Sequence, residues 1–490
     1  MTTLTSVLQD YPGFEELQSK LHKNGEVLSI SGCTPSSKLH VASTLSEKFN
    51  FTLIITHNDM RVREIVEDYR LFDRNVCVYP AKDMMFYQAD IRGNELTRER
   101  MKCLRRILEG RKVTIVTTFD ALMTPQAPLS VFENNILTIS QSSTVDEKAL
   151  AQKLVTLGYE KSFQVESPGQ FSIRGGIVDI FDLTEENPFR IELWGDDVDS
   201  IRSFDVLSQR SIEVLDSITI YPAAEMILTD EEISEGIAKI SDETAHYSKK
   251  LRDKFKTEES HRLDVNLRQL REEALEFRNT VNLDNYINYF YPNTSSLLGM
   301  FKNDDTVIFI DEPLRVYEHA TAVEIEFREN MLHRLEKGYI IPKQMEILYT
   351  LSETMSRVSR FHTAYLEELH LNNSLSDEIL PPTETFNFRV KPIQSYNNSF
   401  ESLVKDLSKY RRDGYRVLVL SGSPTRAERL AGDLCENELS AFYSSNAERV
   451  LQPREVETFH GFVSKGYDYP DIKFAVISET DIFGLERKSK

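Results

Sequence analysis

The stretch from Gly158 to Pro222 limits the possible folds most sharply. Short β-rich runs, Phe171-Ser172-Ile173-Arg174, Ile177-Val178-Asp179-Ile180-Phe181 and Phe189-Arg190-Ile191-Glu192-Leu193-Trp194, are separated by Gly, Pro, Asn and Asp. That punctuation predicts a small antiparallel sheet. A strand repeats every two residues, so Phe189, Ile191 and Leu193 share one face while Arg190, Glu192 and Trp194 share the other. Phe171 and Ile173 likewise oppose Arg174. One face can build a core. The other gathers two arginines and the only tryptophan of the chain. Periodicity alone leaves two readings open: a partner-binding face, in which Trp and Arg are enriched, or a tryptophan filling a core gap beside ordinary solvated arginines.

Around this stretch the pattern changes. Val27 to Ile30, Phe51 to Thr56, Val76 to Tyr79 and Val113 to Thr117 read as buried strands, with helices to about Phe49, over Asp59 to Tyr69 and over Leu96 to Leu108. Alternating strands and helices imply a parallel sheet covered on both faces. The strand at Ile30 runs into Gly32-Cys33-Thr34-Pro35-Ser36-Ser37-Lys38-Leu39, the place of a phosphate-binding loop. Such a loop needs a second glycine, a lysine and then a hydroxyl residue that holds magnesium. Gly32 and Lys38 are in place, but Ser37 replaces the second glycine, Leu39 the hydroxyl, and Pro35 removes an amide donor. A second strand, Thr306 to Ile310, ends in Asp311-Glu312, the form of the acidic motif of helicase-type ATPases. Without a working loop these carboxylates are expected to cap the following helix. No catalytic or metal-ligating residue is assigned.

Lys and Arg number 58 against 78 Asp and Glu, a net charge of -20. That balance opposes tight sequence-independent DNA binding, which depends on neutralising phosphates, and favours protein partners. Cys33, Cys77, Cys103 and Cys435 form no Cys-x-x-Cys pair, so neither a disulfide framework nor structural zinc is expected. No apolar run has membrane-spanning length and no signal peptide opens the chain, so no membrane partner and a cytoplasmic location are expected.

The β-rich stretch resembles the UvrA-binding domain shared by UvrB and the bacterial transcription-repair coupling factors (Mfd). The matching residues are Phe171 to Gly176, Asp179-Ile180-Phe181, Phe189 to Asp197, Ile201 to Asp205, Ser208-Gln209-Arg210 and Tyr221-Pro222-Ala223. The Ser-Gln-Arg and the final Pro-Ala follow the coupling-factor version. The resemblance implies a UvrA-binding role for Arg174, Arg190 and Trp194. It also implies a degenerate, nucleotide-free copy of UvrB's first motor lobe, consistent with the loop at Gly32, Ser37, Lys38 and Leu39 and with Asp311-Glu312. The run from Tyr79 to Gln88, with Phe86 and Tyr87, is too short for the DNA-prying aromatic hairpin of UvrB.

The expected architecture is α/β. Residues 1–125 begin a degenerate P-loop-like domain, 126–222 are the inserted UvrA-binding domain, and 223–370 are a largely helical return segment. Within that segment helices are expected over about Pro313 to Leu335 and Pro342 to Leu369. Residues 371–391 read as a linker, 392–484 as a small α/β third domain, and 485–490 as the start of a connection to a polymerase-binding domain. The resemblance implies that a complete protein adds that domain and an ATP- and magnesium-dependent translocase motor, which engage RNA polymerase and duplex DNA and release stalled polymerase. On this resemblance the chain is expected to supply the UvrA-recruiting arm, with no cofactor and no enzymatic activity of its own. The alternatives are a UvrB-like damage-loading subunit or an autonomous helicase-type ATPase.

Overall fold

The computed structural model describes residues 3–22, 25–82, 92–369 and 380–484. Phe86 and Tyr87 lie outside them, as do residues 371–379 of the expected linker and residues 485–490. The chain forms a mixed α/β structure built on three main sheets.

The first sheet has seven strands, in the order Glu384–Asn387, Val27–Ser31, His362–Leu366, Thr306–Asp311, Phe51–Thr56, Val113–Thr118 and Val76–Tyr79. Every pairing in it is parallel. Its central strands are buried along their full length, as a sheet covered by helices on both faces requires. Strands before and after the insertion interleave, so the sheet closes only when residues 306–366 return to it.

Two expectations are corrected here. Pro342 to Leu369 is not one helix: a 3₁₀ turn Pro342–Glu346 and a helix Leu351–Val358 lead into the buried strand His362–Leu366. The charged residues before it suggested a continuous helix, whereas His-Thr-Ala-Tyr-Leu is a short strand with sheet on both sides. The stretch 371–391 is also more than a connection, because Glu384–Asn387 pairs with Val27–Ser31 at the sheet edge.

The inserted sheet has six strands: Ser211–Val214, Asp197–Phe204, Phe189–Trp194, Ile177–Ile180, Gln170–Arg174 and Glu160–Lys161. All pair antiparallel except the last. A separate two-stranded ribbon, Leu137–Ser140 against Ser217–Ile220, draws the two ends of the insertion together. The helix Arg92–Leu108 carries it: Arg98 Nε donates to the Leu183 carbonyl at 3.0 Å, and Arg105 Nη1 to Thr184 Oγ1 at 2.7 Å.

The third sheet, of six strands between Lys391 and Ile477, mixes parallel and antiparallel pairs. It packs directly on the first domain. Tyr467, Tyr469 and Phe474 surround His40, and Asp68 accepts hydrogen bonds from Ser36 Oγ at 2.7 Å and from the Ser464 amide at 2.7 Å. The helix Pro35–Leu45, which follows the phosphate-type loop, is therefore buried on all sides from Ser36 to Leu45, and its polar side chains find partners there: His40 Nε2 lies 2.7 Å from the Leu4 carbonyl, and Ser43 and Thr44 hydroxyls donate to the His40 carbonyl. Among the described residues no helix is long and apolar enough to cross a membrane.

Candidate partner-binding site

Register builds the polar face of the inserted sheet row by row. Gly175-Gly176, both with positive φ, turn the chain so that Arg174 lies opposite Ile177 and Ser172 opposite Asp179. Asp179 in turn pairs with Arg190, and Arg190 with Arg202. The opposite face takes Phe171, Val178, Ile180 and Ile191, all buried. The alternation expected from sequence is the one found.

Asp179 is the centre of the face. It is buried, and Arg190 grips it bidentately, Nε to Oδ1 at 2.7 Å and Nη2 to Oδ2 at 2.8 Å, while Arg174 Nη2 adds a third contact to Oδ2 at 3.1 Å. Arg190 also donates to Gln209 Oε1 at 3.0 Å and lies 4.2 Å over the Phe204 ring. Phe204 belongs to a small apolar cluster with Val165 and Phe181. The hydrogen bonds to Asp179 make the Arg190 guanidinium a tighter proton holder than usual, against the opposing effect of burial.

The three predicted residues thus differ in kind. Arg190 is only 14% exposed and Arg174 37%. Trp194 is 84% exposed, which removes the core-plug reading. Phe163, 85% exposed, lies 5.7 Å beneath the Arg174 guanidinium. An arginine clamp with an exposed aromatic under Arg174 and an exposed tryptophan further along the strand of Arg190 has the composition that anchors protein interfaces. Sequence reasoning missed Asp179 as the anchor and Phe163 as a neighbour. The glycine turn could have paired Asp179 with Ser172. The irregular connection from Phe181 to Pro188, however, conceals its register with Arg190.

The phosphate-type loop has a different fate. Lys38 is buried, with Nζ 2.7 Å from Asp311 Oδ1 and 2.7 Å from Glu312 Oε1. Arg61 Nε reaches Asp311 Oδ2 at 3.0 Å, and Thr56 Oγ1 donates to the same oxygen at 3.2 Å. Burial pushes the Asp311 carboxyl up, but Lys38 and Arg61 prevail and hold it below the usual range. Burial likewise opposes the Lys38 charge, and Asp311 and Glu312 outweigh it and raise its pKa. Glu312 does not cap the helix Pro313–Glu336: it sits in the left-handed region at φ 52° with no capping bond, and it spends its carboxylate on Lys38 and the Glu368 amide. This corrects the capping expectation.

These residues do not fit ATP and magnesium. Lys38 is already neutralised, and Leu39 is buried in the core with no hydroxyl to offer. Ser37 Oγ takes the Thr34 amide at 2.8 Å. At Gly32, φ 79°, a Cβ would lie 2.0 Å from the Phe388 carbonyl oxygen, so the returning edge strand closes over the loop.

A P-loop-like parallel domain carrying an inserted six-stranded sheet defines the architecture, and comparison with known proteins shows what it is similar to. Residues 137–226 match the family model of the UvrB interaction domain. Along its whole length the chain is similar to proteins named transcription-repair-coupling factor. It is 28% identical over 496 residues to that of Bacillus subtilis (strain 168), and 25% identical over 503 residues to those of Staphylococcus aureus strains MRSA252 and USA300. The match covers 100% of this chain and 41% of each relative, so the chain spans about two-fifths of their length.

Proposed function

We propose that this chain is the recruiting arm of a transcription-repair coupling factor and that it binds UvrA through the polar face of its inserted sheet. The supporting observation is the Asp179-centred clamp with Trp194 and Phe163 exposed beside it, inside the segment that matches the UvrB interaction domain. Arg174 and Trp194 make the direct contacts. Arg190 acts mainly by holding Asp179, and through it Arg174, in place.

In this reading the complete protein adds an ATP-driven motor that moves on duplex DNA and releases stalled RNA polymerase. The first domain here serves as a scaffold, not a nucleotide site, and no cofactor is required for docking. Capture of purified UvrA by the immobilised chain, in buffer without nucleotide, tests the proposal. Failure to retain UvrA contradicts it. Magnesium-dependent ATP hydrolysis by the chain would instead favour the autonomous ATPase. Lys38→Ala is not a clean control for that assay, because Lys38 holds two carboxylates together.

A further inference from the structure

The helix that carries the inserted domain also carries a thiol aimed at a second one. Cys77 lies on the outermost strand of the seven-stranded sheet, Val76–Tyr79, and Cys103 on the helix Arg92–Leu108 packed across it. Their Sγ atoms are 2.9 Å apart, inside ordinary sulfur–sulfur contact, and Cys103 Sγ also approaches the Val78 carbonyl at 3.1 Å. Both thiols are free; Cys103 is buried and Cys77 half-buried. One turn beyond Cys103, Arg106 has a buried Nη1 with no hydrogen-bond partner.

We propose that Cys77 and Cys103 form an oxidisable dithiol, a modification site at which hydrogen peroxide converts two thiols into one disulfide. The roles follow from the surroundings. Donation from the Cys103 thiol and the nearby Arg106 charge lower the Cys77 pKa against the effect of burial, so Cys77 supplies the thiolate. Burial, then Cys77 itself, raises that of Cys103, which makes it the resolving thiol. A thiolate at Cys77 would draw the Arg106 guanidinium, already close enough to favour the charged form, into a full hydrogen bond.

In the first step Cys77 sulfur attacks one peroxide oxygen and the O–O bond breaks. The leaving hydroxide takes the thiol proton as water, leaving Cys77 as a sulfenic acid. Cys103 sulfur then attacks Cys77 sulfur, the S–O bond breaks, and a second water departs with the Cys103 proton. The two sulfurs lose two electrons and the peroxide gains them. A reducing thiol reverses the bond by exchange, consistent with the transient disulfides of reducing compartments. The other cysteines lack this arrangement. Burial pushes Cys33 up to about 12, and exposed Cys435 donates to the Ala441 carbonyl at 3.1 Å. The bond would pin to the sheet the helix whose Arg98 and Arg105 hold the insertion.

The test is peptide mapping of the whole chain after brief exposure to hydrogen peroxide. The expected product links the Cys77 and Cys103 peptides, leaves Cys33 free and disappears with dithiothreitol. It also raises Tm by at least about 3 °C. The Cys103→Ser variant should stop at a dimedone-reactive sulfenic acid on Cys77. Oxidation confined to Cys435, or Cys77 passing to sulfinic acid in the wild type with no link to Cys103, would overturn the proposal. The wild-type map decides even if the variant fails to fold.

Discussion

Two aspartates in this molecule are each held by two cations, and they end in opposite circumstances. Asp311 sits fully buried between Lys38 and Arg61, with its charge spent inside the domain. Asp179 sits between Arg190 and Arg174 on an open sheet, with Arg174 part-exposed and Trp194 and Phe163 facing solvent. The same pairing chemistry serves as a plug in one place and as a mounting in the other. What differs is the cover. Lys38 and Asp311 are fully buried, whereas Trp194 is 84% exposed. The charges of the motor-type loop are spent inside the domain, and the proposed docking face lies in the insertion.

The largest effect is expected at the closed clamp. Lys38→Met strands Asp311 and Glu312 beside a single remaining cation, and breaking a buried pair in this way costs about 3–5 kcal/mol. Urea unfolding should show that loss; a loss near zero would mean that the plug is not structural. At the open clamp Asp179→Ala leaves the half-buried Arg190 without its carboxylate, with Gln209 and the Phe204 ring still beside it, at a cost of about 1.5–3 kcal/mol. That cost should appear in unfolding of the inserted domain and should bring weaker UvrA capture with it. Arg174→Ala removes only a part-exposed ion pair, so its stability change should stay below about 1 kcal/mol. Trp194→Ala should leave stability within about 0.5 kcal/mol of wild type. If either unfolds the domain, the face is core and not interface.

The smallest difference is expected in acid. The Asp311 pKa is depressed in the folded chain, so its contribution is complete above the unfolded value, about 4. It is lost as pH falls through the folded value. Asp311→Asn should therefore be destabilised at pH 7, and its gap from wild type should narrow progressively below pH 4. A gap independent of pH would show that the charge of Asp311 is not what matters.

Much of this comparison was legible in the residues. The parallel strands Phe51–Thr56 and Val76–Tyr79 fall where apolar runs and turn residues place them, and period two assigns Arg174, Arg190 and Trp194 to one face. The defects at Ser37 and Leu39 were equally plain. Hidden from sequence were the long-range pairings. Lys38 and Asp311 are 273 positions apart, and only the strand order brings their ends together. His362–Leu366 reads locally as part of a helical stretch, and only a sheet with an open central place makes it a strand. Arg190 looked like a free arm because alternation reports a face but not the partner opposite. A Glu at that position would sit against Asp179, so the substitution would test the mounting as much as the interface.

The position at which UvrA docks distinguishes an interface from a solvated face. Calorimetric titration of UvrA into the wild-type chain and into a folded Arg174→Ala/Trp194→Ala variant, both without nucleotide, tests this most directly. Binding by the wild type is expected, with affinity weakened at least about tenfold in the variant, or roughly 1.4 kcal/mol. Equal affinities, or no binding by the wild type, would contradict it.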